Sequence, residues 1–328
     1  MIEMNEKILK MIDNFKNAKI LVVGDIMLDK YVKGDVERIS PEAPVQVVSV
    51  KKEEYILGGA ANVCNNLAAL GCKTSMCGII GTDDAGKKVI SLLSKGKIEK
   101  SLVFSEKTRK TTQKIRVVSQ GQQLLRIDYE STYIIDINLQ KKYLLYLKNK
   151  IKDYDIVVIS DYNKGFLTKN IVEMIVDKHS KVLIDPKPEH KNFFKEAYLI
   201  TPNLKEASMM AGMEIRNENN ITAIGKQLLK EMDSNILITC GGKGMYLFEK
   251  NGSVLKSPTR AKEVYDVTGA GDTVIAALAA SIASGATLEE ASHIANRAAG
   301  IVIGKSGTAT ATAEEIKKDI KDEQGSVY

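Results

Sequence analysis

The stretch DIVVISDYNKGFLTKNIVEMIVDKHSKVLID, residues 155–185, shows the alternation that governs most of the chain. It opens and closes with an uninterrupted apolar run, and Lys169–Lys178 between the two runs carries apolar residues at helical spacing. Runs that are apolar at every position are typical of strands covered on both faces of a parallel sheet. The stretch therefore predicts a strand, a helix and a second strand parallel to the first.

The same alternation extends in both directions along the sequence. Further strand candidates are ILVVG, SMCGIIG, AYLIT and NILITC, and further helix candidates cover residues 141–151 and 221–232. This order of elements predicts a doubly wound α/β fold with a mostly parallel sheet flanked by helices. We expect residues 1–328 to form a single domain.

Two segments interrupt the alternation. Residues 31–56 form a long extended stretch that contains two prolines, and residues 110–129 predict a β-hairpin around the polar turn SQGQ. Together they predict a small antiparallel sheet beside the main domain. Such a sheet would serve as a lid, as a dimer interface, or as both.

The composition argues against several classes of protein. The 47 basic and 41 acidic residues are mixed along the chain and aromatic residues make up 5%, which argues against a nucleic-acid partner. The N-terminus is amphipathic rather than a signal peptide, and no apolar run reaches the ~18 residues that span a bilayer. The four cysteines and three histidines show no ligand or disulfide spacing. We expect a reduced, cytoplasmic protein without a membrane partner.

The strongest chemical signal is DVTGAGDT, residues 266–273, which is followed by apolar residues at helical spacing. Gly269, Ala270 and Gly271 stand where the helix begins, and small residues there let an anion approach free backbone N–H groups. Asp272 in the first turn would repel a phosphate held for binding alone, but it suits a general base that deprotonates a hydroxyl. The alternative is a glycine-rich turn whose Asp merely favours the helix dipole.

Polar residues near the first strand are candidates for sugar binding. Gly58 and Gly59 precede a helix whose first turn carries Asn62, which could bind a polyol or could simply be solvated. Asp25 and Asp29 follow the first strand, at the edge where open α/β sheets bind ligands. A capping or turn role explains Asp25 equally well.

Two further motifs suit a nucleotide and a metal ion. In NLKE, Asn203 and Glu206 lie three residues apart, and their oxygens suit Mg²⁺. The same spacing is also that of a helix capping box. The glycine-rich turn TCGGKG, residues 239–244, could admit phosphates or a ribose, or form a plain hairpin. It is not a Walker A loop.

Together these motifs resemble the ribokinase-like (PfkB) carbohydrate kinase family over about residues 19–316. DVTGAGDT, GGAANV and NLKE correspond to the family's signatures and occur in the family's order. The resemblance implies an ATP-dependent sugar kinase in which Asp272 is the catalytic base and residues 269–271 form an anion hole. A non-catalytic sugar or nucleotide sensor on the same scaffold is the alternative from another class.

The resemblance also implies ligand-binding residues. Those implied for ATP are Asn203, Thr239, Gly241, Gly242, Gly244 and Asn296. Those implied for metal ions are Asn203 and Glu206 for Mg²⁺, directly or through water, and Asp266 with the loop at residues 305–308 for K⁺.

Within the family, residues 24–48, 122–130, 160–167, 183–187 and 263–285 are similar to heptose 7-phosphate kinases. This likeness implies transfer of the γ-phosphoryl group of ATP to O1, which gives a 1,7-bisphosphate for ADP-heptose and hence for lipopolysaccharide or other surface glycans. In some organisms a nucleotidyltransferase follows the kinase. Here a short charged helix at residues 313–322 follows it, so we expect the kinase activity alone.

A phosphorylated acceptor requires an anion pocket, for which Lys114, Arg116, Arg126, Lys164 and Lys187 are candidates. Ion pairing or surface solvation explains each of them equally well, for instance Arg126 with Asp128. The complete set of candidates for substrate binding is Asp29, Gly58, Gly59, Asn62, Lys114, Arg116, Arg126, Asp161 and Lys164. The rival acceptors are fructose, ribose and fructose phosphate. We expect a homodimer formed through the small sheet.

Overall fold

The computed structural model describes residues 2–260, 267–305 and 309–325. Within these ranges the chain forms thirteen strands and ten α-helices. The strands are β1 (Lys19–Gly24), β2 (Ile26–Ile39), β3 (Gln46–Gly59), β4 (Lys73–Gly81), β5 (Glu99–Glu106), β6 (Thr112–Ser119), β7 (Gln122–Tyr129), β8 (Ile156–Ser160), β9 (Val182–Asp185), β10 (Leu199–Ile200), β11 (Asn235–Thr239), β12 (Met245–Phe248) and β13 (Val254–Ser257). The helices are α1 (Ile2–Asp13), α2 (Ala60–Ala69), α3 (Asp84–Lys95), α4 (Ile137–Lys150), α5 (Lys169–Lys178), α6 (Leu204–Ala211), α7 (Glu218–Met232), α8 (Ala270–Ala283), α9 (Leu288–Ile303) and α10 (Ala313–Gly325).

The main sheet has nine strands in the order β13-β12-β11-β10-β9-β8-β1-β4-β5. The pairs β11–β12 and β12–β13 are antiparallel, and the other pairs are parallel. The predicted doubly wound, mostly parallel fold is therefore confirmed.

Helices cover both faces of this sheet, and β1 shows why its sequence is apolar throughout. Ile20 and Val22 enter a core formed with α1, α2, α3, α8, α9 and α10, whereas Leu21 and Val23 enter the opposite core, formed with α4 to α7. Helix α8 is buried along nearly its whole length. None of the described helices combines the length and the apolar character needed to cross a membrane.

A second, four-stranded sheet with the order β3-β2-β6-β7 projects from the carboxyl edge of the main sheet. It is made of two antiparallel hairpins, β2–β3 and β6–β7. The second is the predicted hairpin, which turns at Gln120 and Gly121, and the first is formed by the stretch that the sequence predicts only as extended. The two hairpins pair through β2 and β6, which run parallel. This pairing is parallel because β2 and β6 leave the main sheet at the same edge, after β1 and β5. We call this sheet the lid.

The buried side chain of Arg109 fixes the root of the second hairpin. Its guanidinium binds Glu106 at 3.0 Å and donates to the carbonyl oxygens of Ser131, Tyr133 and Lys164. One side chain thus ties both ends of the hairpin to the loop that follows β8.

Candidate functional site

The N-terminus of α8 opens at the carboxyl edge of the main sheet. Gly269 is the N-cap residue with φ +81°, a left-handed conformation that side chains disfavour. The first intrahelical hydrogen bond runs from Thr273 N–H to the Gly269 carbonyl at 3.1 Å, so Gly271 N–H precedes it at the positive end of the helix. Of the three predicted anion-hole residues, Ala270 has its N–H engaged in a turn, with the Val267 carbonyl at 3.2 Å.

Asp272 lies in the first turn of α8 and is 5% exposed. Asn62 Nδ2 donates to its Oδ2 at 2.7 Å, and the Tyr162 hydroxyl donates to its Oδ1 at 3.0 Å. Burial raises the pKa of Asp272 to about 6, although both hydrogen bonds favour the charged form. The group therefore changes charge close to neutral pH, which suits general-base chemistry.

Asn62 is held from behind by a chain of hydrogen bonds that joins α2 to α8. The Asn66 amide donates to the Asn62 carbonyl at 2.9 Å, and the Thr273 hydroxyl donates to Asn66 Oδ1 at 2.8 Å. Asn62 is 1% exposed, so it is not the solvated residue that was the alternative at this position.

Gly58 and Gly59 allow β3 to pass close to two acidic residues on its way into α2. A Cβ atom on Gly59 would lie 2.5 Å from the Asp25 carbonyl, and one on Gly58 would lie 2.8 Å from the Asp29 carboxylate. The glycines therefore have a packing role in addition to any contact with a ligand.

Asp25 organises the loop after β8. Its buried carboxylate accepts hydrogen bonds from the backbone N–H groups of Tyr162, Lys164 and Phe166 at 2.9, 3.1 and 3.4 Å. Burial and the neighbouring Asp161 raise the pKa of Asp25 to about 6 against these bonds. Of the two roles open to Asp25, the structure favours the turn role, because this loop places Tyr162 on Asp272.

The structure does not bring Asp161, a predicted substrate residue, to the site. Its fully buried carboxylate accepts from Asn163 N–H at 2.8 Å and lies 2.7 Å from His190 Nδ1. The hydrogen bond from Asp161 raises the pKa of His190. The hydrogen bond to Asp272 comes instead from the neighbouring residue, Tyr162, at 3.0 Å.

A cavity of about 180 Å³ lies between α8 and the carboxyl ends of β9, β10 and β11. We call it the strand-end cavity, and its polar lining residues include Asp185, Lys187, Asn203, Glu206, Thr239 and Asp272. Asn203 and Glu206 form a complete capping box for α6, with each side chain accepting from the other's backbone N–H at 3.0 Å. NLKE thus begins a helix and also lines the cavity, so its two interpretations are compatible.

Asp185 and Tyr162 belong to the site although the sequence did not predict them there. Asp185 ends β9 in the strand-end cavity, where burial, followed by Asp272 and Glu206, raises its pKa well above the usual range. The signal that could have found it is an acidic residue at the carboxyl end of a buried strand. The described residues contain no cluster of three or more His, Cys, Asp or Glu side chains arranged to hold a metal ion.

A larger cavity, of about 720 Å³, lies on the inner face of the lid. We call it the lid cavity, and its lining includes Tyr31, Lys33, Glu54, Arg116, Gln123 and Thr268. Thr268 precedes Gly269 of the strand-end cavity, so the two cavities approach each other at the start of α8. Arg116 binds Asp29 at 2.6 Å and lies 5.3 Å from the centroid of the Tyr31 ring.

Three of the other predicted basic residues, Lys114, Lys164 and Arg126, gather at the β7 edge of the lid, whereas Lys187 lines the strand-end cavity. Lys114 lies 3.2 Å from Asp128 and 3.5 Å from Glu130, and Lys164 lies 2.9 Å from Glu130. Arg126 is half exposed and binds Asp128 at 2.9 Å. The structure brings these three cations together, but it places two carboxylates among them.

Of the predicted ATP residues, only Asn203 and Thr239 line the strand-end cavity. Thr239 lines that cavity and bridges to Asn203. The segment from Gly241 to Gly244 forms the turn of the β11–β12 hairpin, with Gly241 and Gly242 exposed and Gly244 packed against the Ser257 carbonyl. The buried amide of Asn296 on α9 donates to the Pro258 carbonyl at 2.7 Å.

The predicted K⁺ site falls largely outside the described residues, since both Asp266 and residues 306–308 do. Lys305, at the edge of this region, binds Glu315 at 2.6 Å and the Thr310 carbonyl at 2.8 Å.

The pKa of Asp272 gives a testable pH dependence. A base must be deprotonated, so we expect turnover to rise with pH through about 6 and then to level off. Tyr162→Phe removes a hydrogen bond that favours the carboxylate, so this rise should move to a pH about one unit higher. Tyr246→Phe, which alters a hydroxyl bound to Glu218 on the far side of the sheet, should leave the profile unchanged. Identical profiles for wild type and Tyr162→Phe would contradict the assignment.

The site has the features of a phosphotransferase that acts on an alcohol group. It combines a buried carboxylate with a raised pKa at a helix N-terminus, oxygen donors suited to a metal ion, and a neighbouring cavity under a lid. The chain belongs to the pfkB family of carbohydrate kinases, whose profile matches residues 17–315.

Similarity to known proteins supports membership in this family. Bifunctional protein HldE of a Nitratiruptor species is 44% identical over 302 residues, which are 92% of this chain and 64% of that protein. The chain therefore spans less than two thirds of this curated relative. Arabidopsis thaliana ribokinase complexed with ribose and ATP superposes with a TM-score of 0.73 at 22% identity, covering 93% of this chain and 99% of that one. Escherichia coli phosphofructokinase-2 in complex with potassium gives a TM-score of 0.77 at 16% identity, covering 94% and 99%.

Proposed function

We propose that this chain transfers the γ-phosphoryl group of ATP to O1 of D-glycero-β-D-manno-heptose 7-phosphate and so forms the 1,7-bisphosphate. Its HldE relatives support a sugar kinase in heptose metabolism. The reaction type rests on one observation, the buried carboxylate of Asp272 with a pKa of about 6 at the N-terminus of α8. The acceptor rests on the likeness of residues 24–48, 122–130 and 160–167 to heptose 7-phosphate kinases.

Asp272 is the general base of this mechanism. Asn62 and Tyr162 each donate one hydrogen bond to it, so each carboxylate oxygen keeps a second lone pair that can take the proton of the acceptor hydroxyl. As it loses this proton, the acceptor oxygen attacks the γ-phosphorus, and the bond from phosphorus to the bridging oxygen of ADP breaks. Gly269, Ala270 and Gly271 form the anion hole at the positive end of α8. Because the Ala270 N–H binds the Val267 carbonyl, the Gly271 N–H, which precedes the first intrahelical hydrogen bond, is the donor best placed to stabilise the transferred charge.

Asn203, Glu206 and Asp185 would hold Mg²⁺ near the phosphates of ATP. Amide and carboxylate oxygens fit this ion, which keeps several waters and takes few protein ligands. Both oxygens of Glu206 already bind protein groups, Lys187 and the Asn203 N–H, so a contact through water fits Glu206 best. When bound, Mg²⁺ neutralises charge on the phosphates.

ATP extends from the strand-end cavity past Thr239 and over the turn formed by Gly241, Gly242 and Gly244, toward Asn296 on α9. We also propose that a monovalent cation binds near Asp266 and residues 305–308. The potassium complex of Escherichia coli phosphofructokinase-2, a protein of the same fold, supports testing K⁺ first.

The acceptor occupies the lid cavity, with its reacting hydroxyl toward Asp272 and its phosphate toward Arg116. Arg116 fits this role best among the predicted cations because it lines the cavity. Lys114, Lys164 and Arg126 instead stand among carboxylates at the lid edge, where they would serve as a secondary set. Asp29, together with Gly58, Gly59 and Asn62, borders the path between the cavity and the base.

The homodimer that we propose forms through the outer face of the lid. Residues Leu125, Ile127 and Tyr129 of β7 alternate away from the lid cavity and are exposed by 56%, 40% and 48%. Leu125→Glu should therefore shift the protein from dimer to monomer in sedimentation velocity, whereas Leu145→Glu, at an exposed position on α4, should not. A wild-type protein that is monomeric at micromolar concentration would contradict the proposal.

A coupled ADP-release assay tests the acceptor. We expect turnover with D-glycero-β-D-manno-heptose 7-phosphate and weak or no turnover with fructose 6-phosphate, fructose or ribose. Efficient turnover of ribose without turnover of the heptose phosphate would refute the acceptor assignment and leave the kinase assignment standing.

A further inference from the structure

The strand-end cavity has a charge imbalance that bears on catalysis. Asp185, Glu206 and Asp272 contribute three carboxyl groups to its lining. Lys187 is the one Lys or Arg among the described residues that line it. A triphosphate that enters this space adds further negative charge. The ammonium group of Lys187 is thus the protein's own cation at the place where phosphoryl charge must be stabilised.

The position of Lys187 places this ammonium group between the proposed metal motif and the proposed base. Its Nζ lies 2.5 Å from Glu206 Oε1 on one side. On the other side it lies 5.5 Å from the ring centroid of Tyr162, whose hydroxyl binds Asp272. The helix N-terminus that begins at Gly269 lines the same cavity.

Lys187 keeps capacity for a ligand while it binds Glu206. An ammonium group has three N–H donors, and the contact with Glu206 uses one of them. The side chain is 32% exposed.

We infer that Lys187 is a catalytic residue whose ammonium group binds the γ-phosphoryl group during transfer, opposite the N-terminus of α8. This inference rests on the proposed phosphotransfer at Asp272. The bond from the γ-phosphorus to the bridging oxygen breaks, and the electron pair leaves with ADP. The bond to the acceptor oxygen forms, and the acceptor proton passes to Asp272. Lys187 gives up no proton, and it offsets the charge that spreads over the phosphoryl oxygens.

A purely structural ion pair with Glu206 is the competing account. Glu206 is already held by the capping box, in which its Oε2 accepts from Asn203 N–H. The α6 helix start therefore has its own support. Loss of Lys187 should consequently affect the chemical step more than the fold.

Lys187→Met tests the inference, with Lys191→Met as the matched control. Lys191 lies four residues further on and binds Glu231 on the surface. We expect Lys187→Met to lower kcat by ~10²–10³, the scale of one lost transition-state donor, with KM for ATP within about threefold of wild type. Lys187→Arg should recover most of the lost turnover, and Lys191→Met should behave as wild type.

A binding measurement separates this role from a structural one and needs no sugar. In the presence of Mg²⁺, wild-type protein should bind ADP more tightly when aluminium fluoride, a mimic of the transferring phosphoryl group, is added. Lys187→Met should bind ADP alone normally and lose this tightening. Normal tightening, a kcat within threefold of wild type, or loss of ADP binding itself would each overturn the inference. Because no acceptor is present, failure of heptose 7-phosphate as a substrate would leave this result interpretable.

Discussion

Asp272→Asn should reduce turnover by ~10²–10⁴ and leave the affinity for ATP nearly unchanged. The amide has almost the shape of the carboxylate but cannot accept the proton of the acceptor hydroxyl. Asn62 and Tyr162, which hold the side chain in the wild type, can remain close to it, so the helix N-terminus should keep its geometry. The measurement is kcat by coupled ADP release together with the dissociation constant for ATP by calorimetry.

Asp153→Asn is a suitable control, because that side chain is 63% exposed and remote from both cavities. It should leave turnover and ATP affinity at wild-type values. Near-normal turnover of Asp272→Asn would remove Asp272 from the role of base. A parallel loss of ATP affinity would instead point to an electrostatic or structural role.

Arg116→Met should raise KM for heptose 7-phosphate by about 10–100-fold, because hydrogen bonds to a charged group contribute ~1.5–3 kcal/mol each. The affinity for ATP should not change, since Arg116 lines the lid cavity and not the strand-end cavity. The variant also leaves Asp29 without its partner, and Asp29 acts to raise the pKa of Asp272. The assay is therefore best run near pH 8, where Asp272 stays ionised.

Two further variants define the outcome for Arg116. Arg126→Met removes a half-exposed cation bound to Asp128 and should change KM by less than about threefold. Arg116→Lys keeps the charge but loses the planar fork, so it should give an intermediate KM. Equal effects of Arg116→Met and Arg126→Met, or an unchanged KM in both, would place the acceptor phosphate elsewhere.

The main sheet is the part of the fold that the sequence predicts most directly, because its strands are buried on both faces. The apolar run at residues 20–24 lies within β1, and the helix predicted at Lys169–Lys178 is α5. The edge strand β5 has no such signal, since EKSLVFSE mixes charged and apolar residues and is half exposed. The parallel pairing of β2 with β6 is also not readable locally, because a long crossover through the main sheet separates the two strands.

The motif at the start of α8 is predictable for a similar reason, since small residues before a buried helix form a local pattern. The residues that contact this motif in the folded protein, however, come from distant parts of the sequence. Tyr162 lies 110 residues from Asp272 in sequence, and Arg116 lies 87 residues from Asp29. The place of a residue after a strand also does not show which partner its side chain contacts. Asp161 binds His190, whereas the next residue, Tyr162, binds Asp272.

Phosphorus NMR of the product formed from ATP and D-glycero-β-D-manno-heptose 7-phosphate shows directly which hydroxyl group receives the phosphoryl group. We expect the 7-phosphate resonance to persist and one new phosphomonoester resonance, coupled to the anomeric proton, to grow together with the resonances of ADP. The new resonance should be absent when Asp272→Asn is incubated for the same time as the wild-type enzyme. A new resonance coupled to a proton on any other carbon of the sugar, or release of inorganic phosphate alone, would contradict phosphoryl transfer to O1.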